Sequence, residues 1–136
     1  MTETELRQKV VDTASSWLGT QEGSARHADL LDIYNAQRPL PRGTRMLSSW
    51  PWCAAFVSTV SLQCDLRDIM PTECGCPPMI RLYQDLGRWV EDDAHVPSPG
   101  DVIFYDRNGL HNSLVGKFRG CQIHLLHWHR GGWRNG

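Results

Sequence analysis

Cys53 is the residue around which a chemistry can be built. It follows Trp50-Pro51-Trp52 and precedes the apolar run Ala54-Ala55-Phe56-Val57. A proline three residues ahead of such a run suits the opening turn of a helix, where its missing N–H is not needed, and Ser48 or Ser49 is available as N-cap. The first turn of a helix leaves backbone N–H groups without partners and carries the positive end of the helix dipole. A thiol placed there ionises more easily and becomes a nucleophile at neutral pH. Trp50 and Trp52 flank the proline and would either wall a groove beside the thiol or pack inward. The plainer alternative is a small apolar side chain in a buried helix.

A cysteine nucleophile needs a base on another element and a third group to orient that base. His111 is the best-placed histidine, because it follows the first expected strand after a short turn. His124 and His127 lie in a later stretch and remain alternatives, whereas His27 and His95 precede the expected sheet. The other four thiols are Cys64, Cys74, Cys76 and Cys121. An odd number cannot pair completely within one chain, and the polar, acidic start Met1–Glu5 lacks the basic and apolar stretches of a secretory leader. Reduced thiols are therefore the expectation.

The elements that must position these groups follow from pattern. Thr2 and Glu5 form a capping box, and Leu6, Val10, Ala14, Trp17 and Leu18 recur at helical spacing, which predicts a helix over 3–18 closed by Gly19. A second helix is expected over 28–35. Pro39, Pro41 and Gly43 mark a loop. The helix of Cys53 is apolar on most sides, as in a core. Residues 65–78 read as a loop and 79–86 as a short helix ended by Gly87. Val96–Asp101 is a turn feeding Val102-Ile103-Phe104-Tyr105, an apolar run suited to a strand covered on both faces. Leu110–Gly116 and Gln122–Trp128 each suit a further strand. Helices first and strands later indicate an α+β domain.

Pro51-Trp52-Cys53-Ala54-Ala55-Phe56-Val57-Ser58 resembles the nucleophile motif of the CHAP family, cysteine- and histidine-dependent amidohydrolases/peptidases of bacterial cell walls and phage lysins. Pro99-Gly100-Asp101-Val102-Ile103-Phe104-Tyr105 is similar to the turn and first core strand of that family. The opening helix, Val10-Val11-Asp12 through Trp17-Leu18-Gly19, resembles the helix that begins such domains, and Thr72–Cys76 followed by Met79–Tyr83 is similar to the connecting segment in one subgroup. The likeness covers residues 3–106. It implies a papain-like fold, N-terminal helices on a small antiparallel sheet, with Cys53 attacking an amide of peptidoglycan, an N-acetylmuramoyl-L-alanine amidase or an endopeptidase. His111 would be its base, Trp50 and Trp52 would bind substrate, and no cofactor or metal is implied. A monomer, made in the cytoplasm and acting on the wall on release as a phage or prophage lysin does, is the corresponding expectation.

The family's histidine motif, of the form Asp-His-Val-Gly-Ile-Val, does not follow. Leu110-His111-Asn112-Ser113-Leu114-Val115-Gly116 is a loose echo of it, with Asn112 or Asn135 left as orienting groups. Charge changes at the same point. Residues 1–106 hold all 15 acidic and 9 of the 14 basic residues, whereas residues 107–136 hold 5 basic residues and no acid. Residues 107–136 are therefore read as a basic tail, either a divergent end that holds the remaining strands in altered form or a domain cut short or read in another frame. Incomplete sheet pairing and impaired activity are expected in consequence.

Composition excludes other classes. At 136 residues, 40% hydrophobic and 21% charged, the chain makes one domain with a core. A net charge of -1 does not fit a nucleic-acid binder, and no apolar run is long enough to span a membrane. Glu91-Asp92-Asp93 is a solvated run and not the facing carboxylate pair of a glycosidase. Two alternatives stay open. One is a vestigial wall-binding protein without a working base. The other is a small zinc module using Cys74, Cys76 and the tail histidines His124, His127 and His129, although a one-residue gap between cysteines is short for zinc.

Overall fold

The computed structural model describes residues 1–90, 96–106, 118–124, 126–129 and 132–135, with backbone alone for 105–106, 118–120, 126–129 and 132–135. Among the described residues four α-helices precede four short strands: α1 (Glu3–Ser15), α2 (Ala25–Asn35), α3 (Cys53–Cys64), α4 (Cys76–Asp85), β1 (Val102–Asp106), β2 (Phe118–Ile123), β3 (Leu126–His129) and β4 (Gly132–Asn135). The expected α+β class is present as mixed helices and small antiparallel pairs, β1 with β2 and β3 with β4.

The expected capping box closes the start of α1: Glu5 N–H donates to Thr2 Oγ1, and Thr2 N–H reaches back to the Glu5 carboxylate. The helix stops at Ser15 and not at residue 18, because Trp17, Leu18 and Thr20 donate to carbonyls only three residues back, a tightening turn. α2 begins three residues earlier than the apolar pattern suggests. Ser24 caps it by accepting from His27 N–H, a signal the periodicity does not contain. α4 likewise begins at Cys76 and not at Met79. Pro77 and Pro78 occupy its first turn, where prolines are tolerated, so the segment read as loop is already helix.

α3 is the central element. Ala54, Ala55, Val57 and Val60 are almost fully buried, together with Leu30 and Tyr34 of α2, Val10 and Ala14 of α1, and Cys121 and Ile123 of β2. Three buried hydroxyls on α3 are satisfied by neighbouring backbone. Ser58 Oγ donates to the Glu73 carbonyl at 2.6 Å and accepts from Glu73 N–H at 2.8 Å. Ser61 donates to the Met70 carbonyl and Thr59 to that of Leu30. Those bonds pin the segment between α3 and α4 against the central helix, and with it the start of α4.

The Pro99-Gly100-Asp101 turn is fixed from two sides. Arg7 of α1 donates to the Pro99 carbonyl at 3.0 Å and to Asp101 Oδ1 at 2.6 Å. Gly100 has φ +87, and a Cβ there would sit 3.3 Å from the Arg7 carbonyl oxygen. Gly100 N–H donates to the His124 carbonyl and His124 N–H to that of Asp101, each at 2.8 Å, which closes the far end of the β1–β2 ladder. The register pairs Phe104 with Cys121 and Val102 with Ile123.

The stretch expected as one strand over 122–128 is interrupted at His124, whose backbone turns to the Asp101 loop, so β2 and β3 are separate. Leu110–Gly116, with His111 and Asn112, lies outside the described residues, as do Glu91–Asp93 and His95. Residues 118–124 of the basic tail join the core, since Cys121, Ile123 and His124 are buried. Among the described residues no helix is long and apolar enough to cross a membrane.

Candidate functional site

Cys53 is the first residue of α3 and so lies within the first turn, as the sequence predicts, but the cap differs from expectation. Trp52 is the N-cap, at φ -123 and ψ 15, and no side chain caps the helix. Neither Ser48 nor Ser49 fills that role, and Pro51 precedes the N-cap instead of occupying the first turn. The cause is backbone conformation: Trp52, whose carbonyl accepts from Phe56 N–H at 2.8 Å, already begins the helical bonding. The consequence is chemical, because uncapped N–H groups at a helix start remain available to an anion.

Three sulfurs meet at this point. Cys53 Sγ lies 3.6 Å from Cys76 Sγ, and Cys76 Sγ lies 3.7 Å from Cys121 Sγ. All three are within 4.8 Å of one another. Cys53 is half-buried, and Cys76 and Cys121 are buried. The Cys53 thiol is held well below the ordinary thiol range by hydrogen bonds from Cys121 and then Cys76, with the backbone N–H groups of Cys121 and Ala54 adding to them and burial opposing. Cys76 is pushed up to about 12: its hydrogen bond with Cys121 lowers it, but the bond to Cys53 and burial outweigh that. Cys121 is pushed up further by its bonds to Cys53 and Cys76 and by burial. The trio therefore favours one negative charge, on Cys53.

A cavity of about 380 Å³ opens beside Cys53, lined chiefly by Trp17, Trp52, Phe56 and Gln122. Trp52 is the wall the sequence anticipates. Its ring rests on buried His27, with centroids 4.6 Å apart. His27 is oriented in turn by Gly23 N–H, which donates to its Nδ1 at 3.0 Å. Trp50 is exposed and is not among the lining residues, so the two tryptophans divide: Trp52 faces the cavity and Trp50 does not. Trp17 takes the second wall, held by its Nε1–H donating to Gln63 at 2.9 Å and by the Arg26 guanidinium 4.8 Å above its ring. A larger cavity of about 740 Å³, between α1, the turn after α4 and β1, contains none of the cysteines.

His111 lies outside the described residues. His124 is buried at the end of β2. His127 and His129 lie on β3, and Asn135 on β4. Cys74 and Cys76, which the sequence offers as a pair, point to different places. Cys74 lies beside the Arg42–Glu73 ion pair, 3.7 Å from Arg42 Nη2, whereas Cys76 joins Cys53. The sequence reading missed the convergence of Cys53, Cys76 and Cys121. Their separations of 23 and 45 residues carry no local signal; only the β1–β2 register and the early start of α4 create it. No protein-family model, curated protein or solved structure matches the chain.

Proposed function

We propose that the chain is a cysteine amidohydrolase/peptidase of the CHAP type, with a papain-like core, acting on peptidoglycan. The observation that carries this reading is Cys53: a half-buried thiol at the first position of a helix, biased to the thiolate, on the wall of an aromatic cavity. The resemblance of Pro51–Ser58 and Pro99–Tyr105 to the family supplies the substrate class. In this mechanism Cys53 Sγ attacks the amide carbonyl. The developing oxyanion is stabilised by free N–H groups at the start of α3. The amine leaves with a proton delivered by a histidine, and water then hydrolyses the thioester. His111 is the proposed base, and Trp52 and Trp17 flank the substrate.

The test is clearing of purified cell walls by the full chain, by Cys53→Ala and by His111→Ala. Lysis by the wild type and its loss in both variants is the expected pattern, with a slow wild-type rate because residues 107–136 offer no carboxylate to orient the base. Lysis that survives Cys53→Ala overturns the reading. Lysis lost in Cys53→Ala and kept in His111→Ala moves the base to another histidine. Binding to walls without turnover by any form would leave a wall-binding protein.

A further inference from the structure

We propose that Cys53, Cys76 and Cys121 form a zinc site, three thiolate ligands with a fourth position open to the cavity beside Cys53. The site shares Cys53 with the proposed nucleophile but does not rest on that reading. Its basis is geometric. Zinc–sulfur bonds of about 2.3 Å in a tetrahedron place neighbouring sulfurs roughly 3.8 Å apart. The observed separations are 3.6 Å and 3.7 Å, with the third within 4.8 Å, so closure around an ion requires only a small shift of Cys53 or Cys121.

A second, independent feature concerns charge. Cys53 is the first residue of α3 and Cys76 the first residue of α4, so two helix N-termini converge on the same three sulfurs. Neither helix has a side-chain cap. Three thiolates around one divalent ion carry a net charge of -1, and the start of α3, with a smaller part from the start of α4, whose Pro77 and Pro78 carry no N–H, offsets it where burial would otherwise disfavour it. Thiolate softness selects zinc over magnesium or calcium, which take oxygen ligands.

The arrangement also leaves room for a fourth ligand. Cys76 and Cys121 are buried, but Cys53 lines the cavity, so water or an incoming donor reaches the ion from that side alone among the described surroundings. Three protein ligands and an open position is the pattern of zinc sites that exchange a ligand, and not of closed structural ones. On binding, three sulfur–zinc bonds form, the thiol protons pass to buffer and water fills the fourth position.

The experiment uses the reduced full chain, freed of metal and then given zinc or cobalt(II) alone. One equivalent of zinc is expected to survive gel filtration. Cobalt is expected to give thiolate-to-metal charge transfer in the near ultraviolet with the intense visible bands of a tetrahedral site. Cys53→Ser, chosen because its side chain is half-exposed and its loss spares the core, should weaken zinc binding by more than about a hundredfold, beyond what losing a group hydrogen-bonded to a ligand costs. Cys74→Ser and Cys64→Ser should bind as the wild type does. Zinc should also protect Cys53 of the unaltered chain from maleimide while Cys74 still reacts, a readout that needs no variant to fold. Failure of the folded chain to retain zinc overturns the site, as does retention lost in Cys74→Ser but not in Cys53→Ser. Wall lysis is measured separately on the metal-free chain, because zinc on Cys53 withholds the nucleophile, so either proposal can fail while the other stands.

Discussion

Cys53 and Cys74 are both half-buried, yet their surroundings act in opposite directions. At Cys53 the neighbouring thiols and the helix start favour the anion. At Cys74 burial raises the thiol; a hydrogen bond with Tyr34 opposes this and the Glu73 charge adds to it. Cys64, Cys76 and Cys121 are buried. In the metal-free reduced chain at neutral pH, Cys53 should therefore react with iodoacetamide at least about tenfold faster than any other thiol. Peptide mapping over time measures this, and a chain in which Cys74 reacts first contradicts the assignment. Much of this residue was legible in the sequence, because a helix start is a local property of Trp50–Val57. The proton sharing with Cys76 and Cys121 was not, since it depends on which strand residue faces α3. A shift of one residue along β2 would turn Cys121 away from the core and point Gly120 or Gln122 inward.

At the scale of elements, the link between α3 and α4 decides where Cys76 sits, and two side chains hold it. The Glu73 carboxylate, 3% exposed, accepts from Arg42 Nε at 2.9 Å and Nη2 at 2.7 Å and from Cys74 N–H at 2.8 Å. Burial works to raise its pKa, but the Arg42 hydrogen bonds and the Cys74 N–H outweigh it, and the net shift is downward. A carboxyl lowered on folding contributes stability above its unfolded pKa and loses that contribution as pH falls through the folded value. Arg42→Gln should destabilise the fold by about 1–3 kcal/mol near neutral pH, discounted because Arg42 is half exposed. The gap to wild type should shrink as pH falls below the carboxylate range. Urea unfolding at both conditions tests this, and a gap that widens in acid contradicts it. Ser58→Ala removes a hydroxyl that serves both the N–H and the carbonyl of Glu73 at a fully buried position, and should cost about 1–3 kcal/mol with no pH dependence through that range. Neither contact could be anticipated from periodicity, because Ser58, Thr59 and Ser61 look like breaks in an apolar helix until their partners are seen.

For the whole molecule, the change of composition after Asp106 does not coincide with the edge of the core. β2 packs on α3 and α4, and Cys121 and Ile123 are buried in the same cluster as Leu30, Val60 and Phe104. The ladder from Val102–Ile123 to Asp106–Phe118 gives β1 its pairing partner, and the His124 backbone clasps the Gly100–Asp101 turn. A chain ending at Asp106 would lose the buried Ile123 side chain, worth up to about 1.5–3 kcal/mol, together with the ladder bonds, and would expose β1 as an unpaired edge. It would also lose one of the three sulfurs around Cys53. The truncated chain should therefore unfold at least about 3 kcal/mol more easily than the full chain, aggregate on concentration, and show slower alkylation of Cys53 wherever it remains folded, because Cys121 contributes the largest part of the bias toward the thiolate. Equilibrium unfolding and sedimentation of the two chains side by side measure the first two effects. A truncated chain as stable and monodisperse as the full one would mean that residues 107–136 lie outside the cooperative unit, and that the apparent third corner of the sulfur cluster contributes nothing to it.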